Sequence, residues 1–204
     1  MSERDRLVLA SASPARLSTL RAAGIDPVVV VSGVDESGVD DGDAATVANR
    51  LATLKAQAVA QRVSERFVLG CDSVLAFDGT VLGKPGSPEE ARARWRAMRG
   101  RGGTLHTGHC LIDRSTGRQL VRSAATLVEF ADVSDTEIEA YVESGEPMQV
   151  AGAFTIDGLG GAFVTRIEGD HHNVVGLSLP LVREMFASLA VVWTDLWSFG
   201  HTAD

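Results

Sequence analysis

The sequence predicts an α/β fold with a mixed, twisted sheet and flanking helices, and three observations carry that expectation. Over the first half of the chain, short apolar runs alternate with segments of helical periodicity, the pattern of strands joined by covering helices. The run from Thr104 to Ala131, broken only at Ser115-Thr-Gly117, then reads as a two-stranded antiparallel ribbon. With 204 residues, 45% of them hydrophobic and 23% charged, the chain has the size and composition of one domain spanning 1–204.

Element by element, Leu7 to Ala10 is a buried strand, followed by Ser-Ala-Ser-Pro and a helix with Leu17, Leu20 and Ala23, closed by Gly24. Ser13 suits the N-cap and Pro14 the first helical position, where a missing N–H costs nothing. Pro27 to Val31 is a second strand, leading into an acidic, glycine-punctuated loop, Gly33 to Gly42. Asp43 to about Glu65 is the longest helix, with Val47, Leu51, Leu54, Ala58 and Val59 on its apolar face and Lys55 beside it. Phe67 to Phe77 is a strand carrying Asp72, and Asp78-Gly79 turns it into Thr80-Val-Leu82. Ser87-Pro-Glu-Glu90 and Ser134-Asp-Thr-Glu137 read as capping boxes, the first opening a helix to Gly100, the second a short helix closed by Gly145. After Gly152 to Gly161 come a strand, Ala162 to Ile167, a polar loop through Asn173, and a last helix from about Ser178 with Val182, Met185, Phe186, Leu189, Trp193 and Leu196 in register. Val191 to Phe199, with Trp193 and Trp197, is read as completing the core rather than as a subunit contact.

A formal charge of −8 argues against binding a nucleic acid polymer, which needs many phosphates neutralised at once. Cys71 and Cys110 lack the spacing of a disulfide framework or a zinc site, which fits a reducing cytoplasm. The N-terminal apolar run is too short for a signal peptide, and no window reaches the length of a membrane span, so a soluble intracellular protein is expected.

Several segments carry chemistry. In Leu9-Ala-Ser-Ala-Ser-Pro-Ala-Arg16 two hydroxyls, the N–H groups of a helix start and a forked cation converge, which suits a phosphate; the plainer reading is that Ser13 caps the helix and Arg16 is a solvated charge. Asp35-Glu36 and Asp72 come from separate segments and can meet on one hard cation such as Mg²⁺. Alone, Glu36 reads equally as a solvated loop residue and Asp72 as a turn-capping carboxylate, although its apolar setting would make an unpaired charge costly. Lys55 and Lys84 are candidate point-charge ligands for phosphate, or ordinary surface lysines. Gly158-Leu-Gly-Gly161 lacks the strand and helix context of a phosphate-binding fingerprint and reads as tight turns. His106 and His109 face opposite sides of their strand, His171-His172 has no partner cluster, and all four read as structural or surface residues.

Taken together, LASASPAR (9–16), VDE (34–36), LATLKA (51–56), GCDS (70–73), LGKP (82–85), YVESGEP (141–147), AGAFTIDGLGG (151–161) and NVVGLSLPLV (173–182) resemble the Maf family of nucleotide pyrophosphatases, in the family's order and over nearly the whole chain. The resemblance implies a fold similar to that of the inosine triphosphate pyrophosphatases, two lobes around a cleft, a homodimer, and a divalent cation, Mg²⁺, Mn²⁺ or Co²⁺. It implies hydrolysis of nucleoside or deoxynucleoside triphosphates between the α- and β-phosphates, as nucleotide-pool sanitisation; the alternative is a nucleotide-binding regulatory protein of cell division or septum formation without turnover. By the same resemblance Asp72 activates water and binds metal with Glu36, Ser11 and Ser13 form the phosphate-binding turn, and Arg16, Lys55 and Lys84 contact the triphosphate. Three positions linked to base selection depart from the family: Ala15 replaces the first arginine of SPRR, Ser73 stands where dTTP/UTP-hydrolase-like members carry Thr, and Asp157 where they carry Gln. Members similar to 7-methyl-GTP enzymes carry Trp, Gln and Glu there, so this chain matches neither set.

Overall fold

Alternation along the first strand sets the layering. The computed structural model describes residues 6–36, 38–39 and 42–198. In β1 (Leu7–Leu9), Leu7 and Leu9 enter a core with Leu20, Ile25, Val182 and Phe186, whereas Val8 enters another with Ala52, Ala56 and Val59. Successive side chains of a strand point to opposite faces, so helices must cover both. Here α1 (Pro14–Ala22) and α6 (Leu179–Ser188) supply one layer and α2 (Ala44–Ala60) the other.

The remaining strands are β2 (Val28–Val29), β3 (Phe67–Phe77), β4 (Thr80–Leu82), β5 (Gly102–Asp113), β6 (Arg118–Phe130) and β7 (Val164–Glu168). They form one mixed seven-stranded sheet in the order β2-β1-β3-β5-β6-β7, with β4 also paired to β3. β2 and β3 run parallel to β1; the other pairings are antiparallel. Along one edge β3 is paired with β5 from Phe67 to Ala76. Its other edge is shared: Phe67–Leu69 pairs with β1, and Leu75–Phe77 with β4. Between those pairings, at residues 70–74, the sheet opens, and Asp72 and Ser73 sit in the opening.

Two cores flank it. One joins β1, β3, α1 and α6; the other gathers Leu75, Trp95, Met98, Phe130, Tyr141 and Phe154 from the far half of the sheet, α3 (Pro88–Met98) and α4 (Asp135–Glu143). Trp95 centres the second, donating from Nε1 to the Ala153 carbonyl at 2.8 Å and meeting Phe130 and Tyr141 edge-on. These are the two lobes the family resemblance implies.

The placement of α2 depends on glycine. A Cβ at Gly70 would stand 2.3 Å from the Ala52 carbonyl oxygen, and one at Gly108 2.2 Å from that of Ala48, so the helix backbone lies directly on β3 and β5. The buried face of α2 is accordingly Ala44, Val47, Ala48, Leu51, Ala52, Lys55, Ala56 and Val59. Leu54, expected on that face, is exposed, and Lys55, expected beside it, belongs to it.

Other boundaries move for local reasons. The second strand shrinks to two residues at the sheet edge, with Val29 and Val31 exposed. α2 stops at Ala60, where Arg62 N–H turns back to the Val59 carbonyl and its side chain binds the carbonyls of Val31 and Ser32. The last helix ends at Ser188 because Ala190 takes φ 59°, and Trp193–Leu196 is a separate 3₁₀ turn. Leu196 is buried and Val191 and Trp193 pack on the core, as expected, but Val192 and Trp197 of the same segment are exposed, so it completes the core only in part; Phe199 lies outside the described residues. The expected polar loop before Asn173 is a short helix, α5 (His171–Val175), capped by Asp170 and ended by Gly176 at φ 115°. The box at Ser134 is complete, but that at Ser87 is half made: Glu90 accepts from Gly86 N instead.

Candidate functional site

The opening in β3 is the floor of a cleft of about 1260 Å³, and all ten site residues singled out from the sequence line it. Parallel strands deliver their following loops to the same end of a sheet, which is where open α/β folds bind ligands. After β1 come Ser11 to Arg16, after β2 the segment bearing Glu36, and β3 itself continues three residues past its pairing with β1 to Asp72.

Pleating sends Asp72 and Ser73 to opposite faces. Asp72 shares its face with Val68 and Gly70, toward α2, and its Oδ1 accepts from Lys55 Nζ. Lys55 also pairs with Glu36 Oε1 at 2.8 Å. Lys55 and Asp72 are buried whereas Glu36 is exposed, so two carboxylates from separate elements converge on one ammonium. Among the described residues no three His, Cys, Asp or Glu side chains group as a metal site. Among the described residues the charged side chains lining the cleft balance formally, Arg16, Lys55 and Lys84 against Glu36, Asp72 and Asp157.

Arg16 is buried, not solvated. Its Nε donates to the Gly176 carbonyl at 2.7 Å, Nη1 to Ser11 Oγ at 3.2 Å and Nη2 to Ser73 Oγ at 3.1 Å. Three of the five guanidinium donors thus fix the fork, leaving one N–H on each terminal nitrogen for a ligand. The helix start itself offers less than its sequence promises. Pro14 has no N–H, Arg16 N–H is taken by Ser13 Oγ at 3.4 Å, and Ser13 N–H by Ser11 Oγ at 3.1 Å. Ser11 Oγ therefore accepts twice, from Ser13 and Arg16, and its own proton remains for a ligand acceptor.

Lys84 is exposed at the cleft, in a loop pinned at the Gly83 carbonyl by Arg94 Nη1 (2.6 Å) and Gly152 N–H (3.0 Å). Ala15 and Asp157 both line the cleft and also a smaller pocket beside α5. The loop bearing Asp157 hangs on Glu146, which the sequence reading left unassigned: its carboxylate accepts from Tyr141 Oη (2.9 Å), Thr155 Oγ1 (2.6 Å), Leu159 N (2.9 Å) and Gly160 N (3.0 Å). Burial raises its pKa, but these donors outweigh it and hold the group below the usual glutamate range. Gly158 to Gly161 wraps this carboxylate and is the set of tight turns expected of it; a Cβ at Gly158 would reach Glu146 Oε2 at 2.4 Å.

His109 is structural as expected: fully buried, it accepts from Ser178 N–H at 2.9 Å through Nε2, and burial with the nearby Arg16 charge lowers its pKa to about 3. Cys71 and Cys110 are free, and burial pushes their thiols up to about 12 and about 11. The sequence reading also missed Thr107 and the side chain of Asn173, which lie buried behind Ser73. Their signal is a cross-strand register, Ser73 opposite Thr107, that exists only once β3 and β5 are paired.

The family model described as Maf-like protein matches residues 6–189. The chain is 58% identical over 200 residues to a nucleoside triphosphate pyrophosphatase of Salinispora tropica, covering 96% of this chain and 88% of the relative. It is 55% identical over 197 residues to the protein of that name from Streptomyces coelicolor, covering 96% of each. The corresponding figures for that of Gloeothece citriformis are 53% over 190 residues, covering 93% and 97%.

Proposed function

The chain belongs to the Maf-like protein family, and on that premise we propose that it is a nucleoside triphosphate pyrophosphatase, hydrolysing nucleoside or deoxynucleoside triphosphates to the monophosphate and pyrophosphate. The observation that carries the reading is the meeting, at one break in the sheet, of a buried carboxylate, Asp72, with Lys55 and the braced fork of Arg16.

In the proposed reaction water attacks the α-phosphorus, a bond forms from the water oxygen to phosphorus, and the bond from phosphorus to the bridging oxygen breaks, so that pyrophosphate leaves. Asp72, with Oδ1 committed to Lys55, orients the water and takes its proton on Oδ2. Arg16, Lys55, Lys84 and the Ser11 hydroxyl hold the triphosphate and offset the charge that moves onto the leaving group. Ser13 shapes the turn, its oxygen capping the Arg16 N–H, and like Ser11 it keeps its own hydroxyl proton for a phosphate oxygen.

A divalent cation fits this donor set. The described charged residues of the cleft cancel formally, so a triphosphate, with about four negative charges, would gain no net compensation from them. Glu36 and Asp72 both reach Lys55 Nζ, so the two carboxylates lie close together, and with Lys55 in place their free lone pairs would hold Mg²⁺, Mn²⁺ or Co²⁺ jointly with phosphate oxygens. Bound there, the ion would neutralise phosphate charge. Ala15, Ser73 and Asp157 are the positions the family resemblance links to base choice. Sanitisation of the nucleotide pool in the cytoplasm, by a homodimer, completes the proposal; no helix among the described residues is long and apolar enough to cross a membrane.

The test is a panel of ribo- and deoxyribonucleoside triphosphates with each metal in turn. Pyrophosphate release is expected, and orthophosphate in its place would refute the bond assignment. Asp72→Asn should lower kcat by roughly 10²–10⁴-fold while the fold melts within a few degrees of wild type; an unimpaired variant removes Asp72 from the base role.

A further inference from the structure

We propose that Ser73 does not read the base but, with Thr107, acts as a positioning residue that locks Arg16 against α5, so that its loss weakens every triphosphate alike. This rests on the phosphate-binding part of the function proposed above.

Arg16 Nη2 can only donate, so Ser73 Oγ accepts from it at 3.1 Å. At the far end the backbone carbonyl of Asn173 can only accept, so Thr107 Oγ1, 3.1 Å away, donates its single proton there. Between them Ser73 Oγ and Thr107 Oγ1 lie 2.9 Å apart. Thr107 has no second proton, so Ser73 must donate and Thr107 accept. The chain therefore has one direction, from Arg16 through Ser73 and Thr107 to the Asn173 carbonyl, and hydrogen bonds aligned this way strengthen one another.

Two consequences follow. Ser73 has no proton left for a ligand, unlike Ser11, whose oxygen accepts twice and whose proton is unspent. And Arg16 is tied to α5 by two routes: directly, Nε to the Gly176 carbonyl at 2.7 Å, and through the hydroxyl pair to Asn173. The anchor is firm, because Asn173 is fully buried and its Nδ2 donates to the Leu105 carbonyl and to Thr126 Oγ1 at 3.2 and 3.0 Å. A fork braced at both ends presents its remaining donors at a fixed angle, which is what bidentate phosphate recognition requires. Ser73 also faces away from Asp72, on the α1 side of β3, so its contribution is separable from water activation.

Two measurements decide it: kcat and KM over the triphosphate panel, and calorimetric binding of inorganic tripolyphosphate, which has no base. Ser73→Ala should lower kcat/KM on the order of 10-fold or more for every substrate, leave their ranking unchanged, and weaken tripolyphosphate by a comparable factor. Ser73→Thr, which keeps the hydroxyl, should retain most of both. Thr107→Val, a change outside the cleft lining, should act in the same direction, and the double variant should be little worse than Ser73→Ala alone, as for two links of one chain. Reordered base preference in Ser73→Ala, tripolyphosphate binding untouched by it, or additive losses in the double variant would each overturn the proposal. Wild-type protein that binds tripolyphosphate yet releases no pyrophosphate from any substrate would sink the hydrolase reading, with the Ser73 comparison still read from binding. Failure to bind tripolyphosphate at all would sink both.

Discussion

Gly108→Ala adds one methyl group and should disable the site from beneath. Gly108 lies opposite Asp72 in the β3–β5 ladder, and α2 crosses directly above it. The new Cβ would stand 2.2 Å from the Ala48 carbonyl oxygen, 2.3 Å from its carbon and 2.5 Å from Asn49 N. All three are backbone atoms of a regular helix, so none can rotate aside as a side-chain tip would. Ordinary contact begins near 3.4 Å, and α2 must therefore retreat by about 1 Å. Overpacking of this kind costs about 1–3 kcal/mol, and a rigid obstacle belongs at the upper end. For a chain of this size that is a fall in Tm of roughly 5–10 °C. Lys55 rides the same helix about two turns on, and a displacement near 1 Å in a positioned group costs on the order of 10²-fold in rate. Circular dichroism melting and pyrophosphate release read the two effects. A variant melting within a degree of wild type with full kcat would mean that α2 does not rest on β5 as described, and the link from Gly108 to Lys55 would be lost.

His109 predicts acid sensitivity. Its folded-state pKa, about 3, lies below the ordinary 6.5, so the unfolded chain binds the extra proton and stability falls as pH drops from 6.5 toward 3, by about 2 kcal/mol at pH 5. His109→Gln, whose amide oxygen can accept from Ser178 N–H, should flatten the urea-unfolding free energy over pH 5–6.5, and an unchanged slope would count against the assignment. Glu146→Ala removes the acceptor of four hydrogen bonds, three of them from residues 155–160 and one from Tyr141. It should cost about 2–3 kcal/mol and shift base preference more than Asp72 chemistry, seen as a changed KM pattern at nearly constant kcat; a uniform loss of kcat would argue that the loop serves catalysis instead.

What the sequence made legible was local. Ser13 before Pro14, Ser134 with Glu137, and Asp78-Gly79 each act within a few residues, and each is found as read, the last with both residues at positive φ as a tight hairpin requires. The candidate site residues were legible as an ordered set of motifs, not one by one; singly, Arg16 looked like a surface charge, and only its partners, from 5 to 160 residues away, make it a buried fork. α5 went unread because five residues are too few for a period to show, although Asp170 and Gly176 were its visible start and stop. The alanines at 44, 48, 52 and 56 were visible too, but their meaning depended on which glycines lay beneath them, and that is a fact about strand register.

Register also explains why Gly-Cys-Asp-Ser serves two tasks with adjacent residues. Within a pleated strand neighbours diverge, so Asp72 meets Lys55 on α2 while Ser73 meets Arg16 on α1. In an unbroken sheet the two side chains would be separated by the backbone layer, and no small ligand could touch the systems on both faces. Here β1 leaves β3 after Leu69 and β4 joins only at Leu75, so the layer is interrupted where the faces must communicate. A slip of one residue between β3 and β5 would break both arrangements at once. Gly108 would no longer lie under α2 opposite Asp72, and Thr107 would no longer lie opposite Ser73. The helix contact that seats Lys55 and the hydroxyl chain that braces Arg16 therefore depend on the same β3–β5 pairing, and their relative placement is a property of the sheet before it is a property of any ligand.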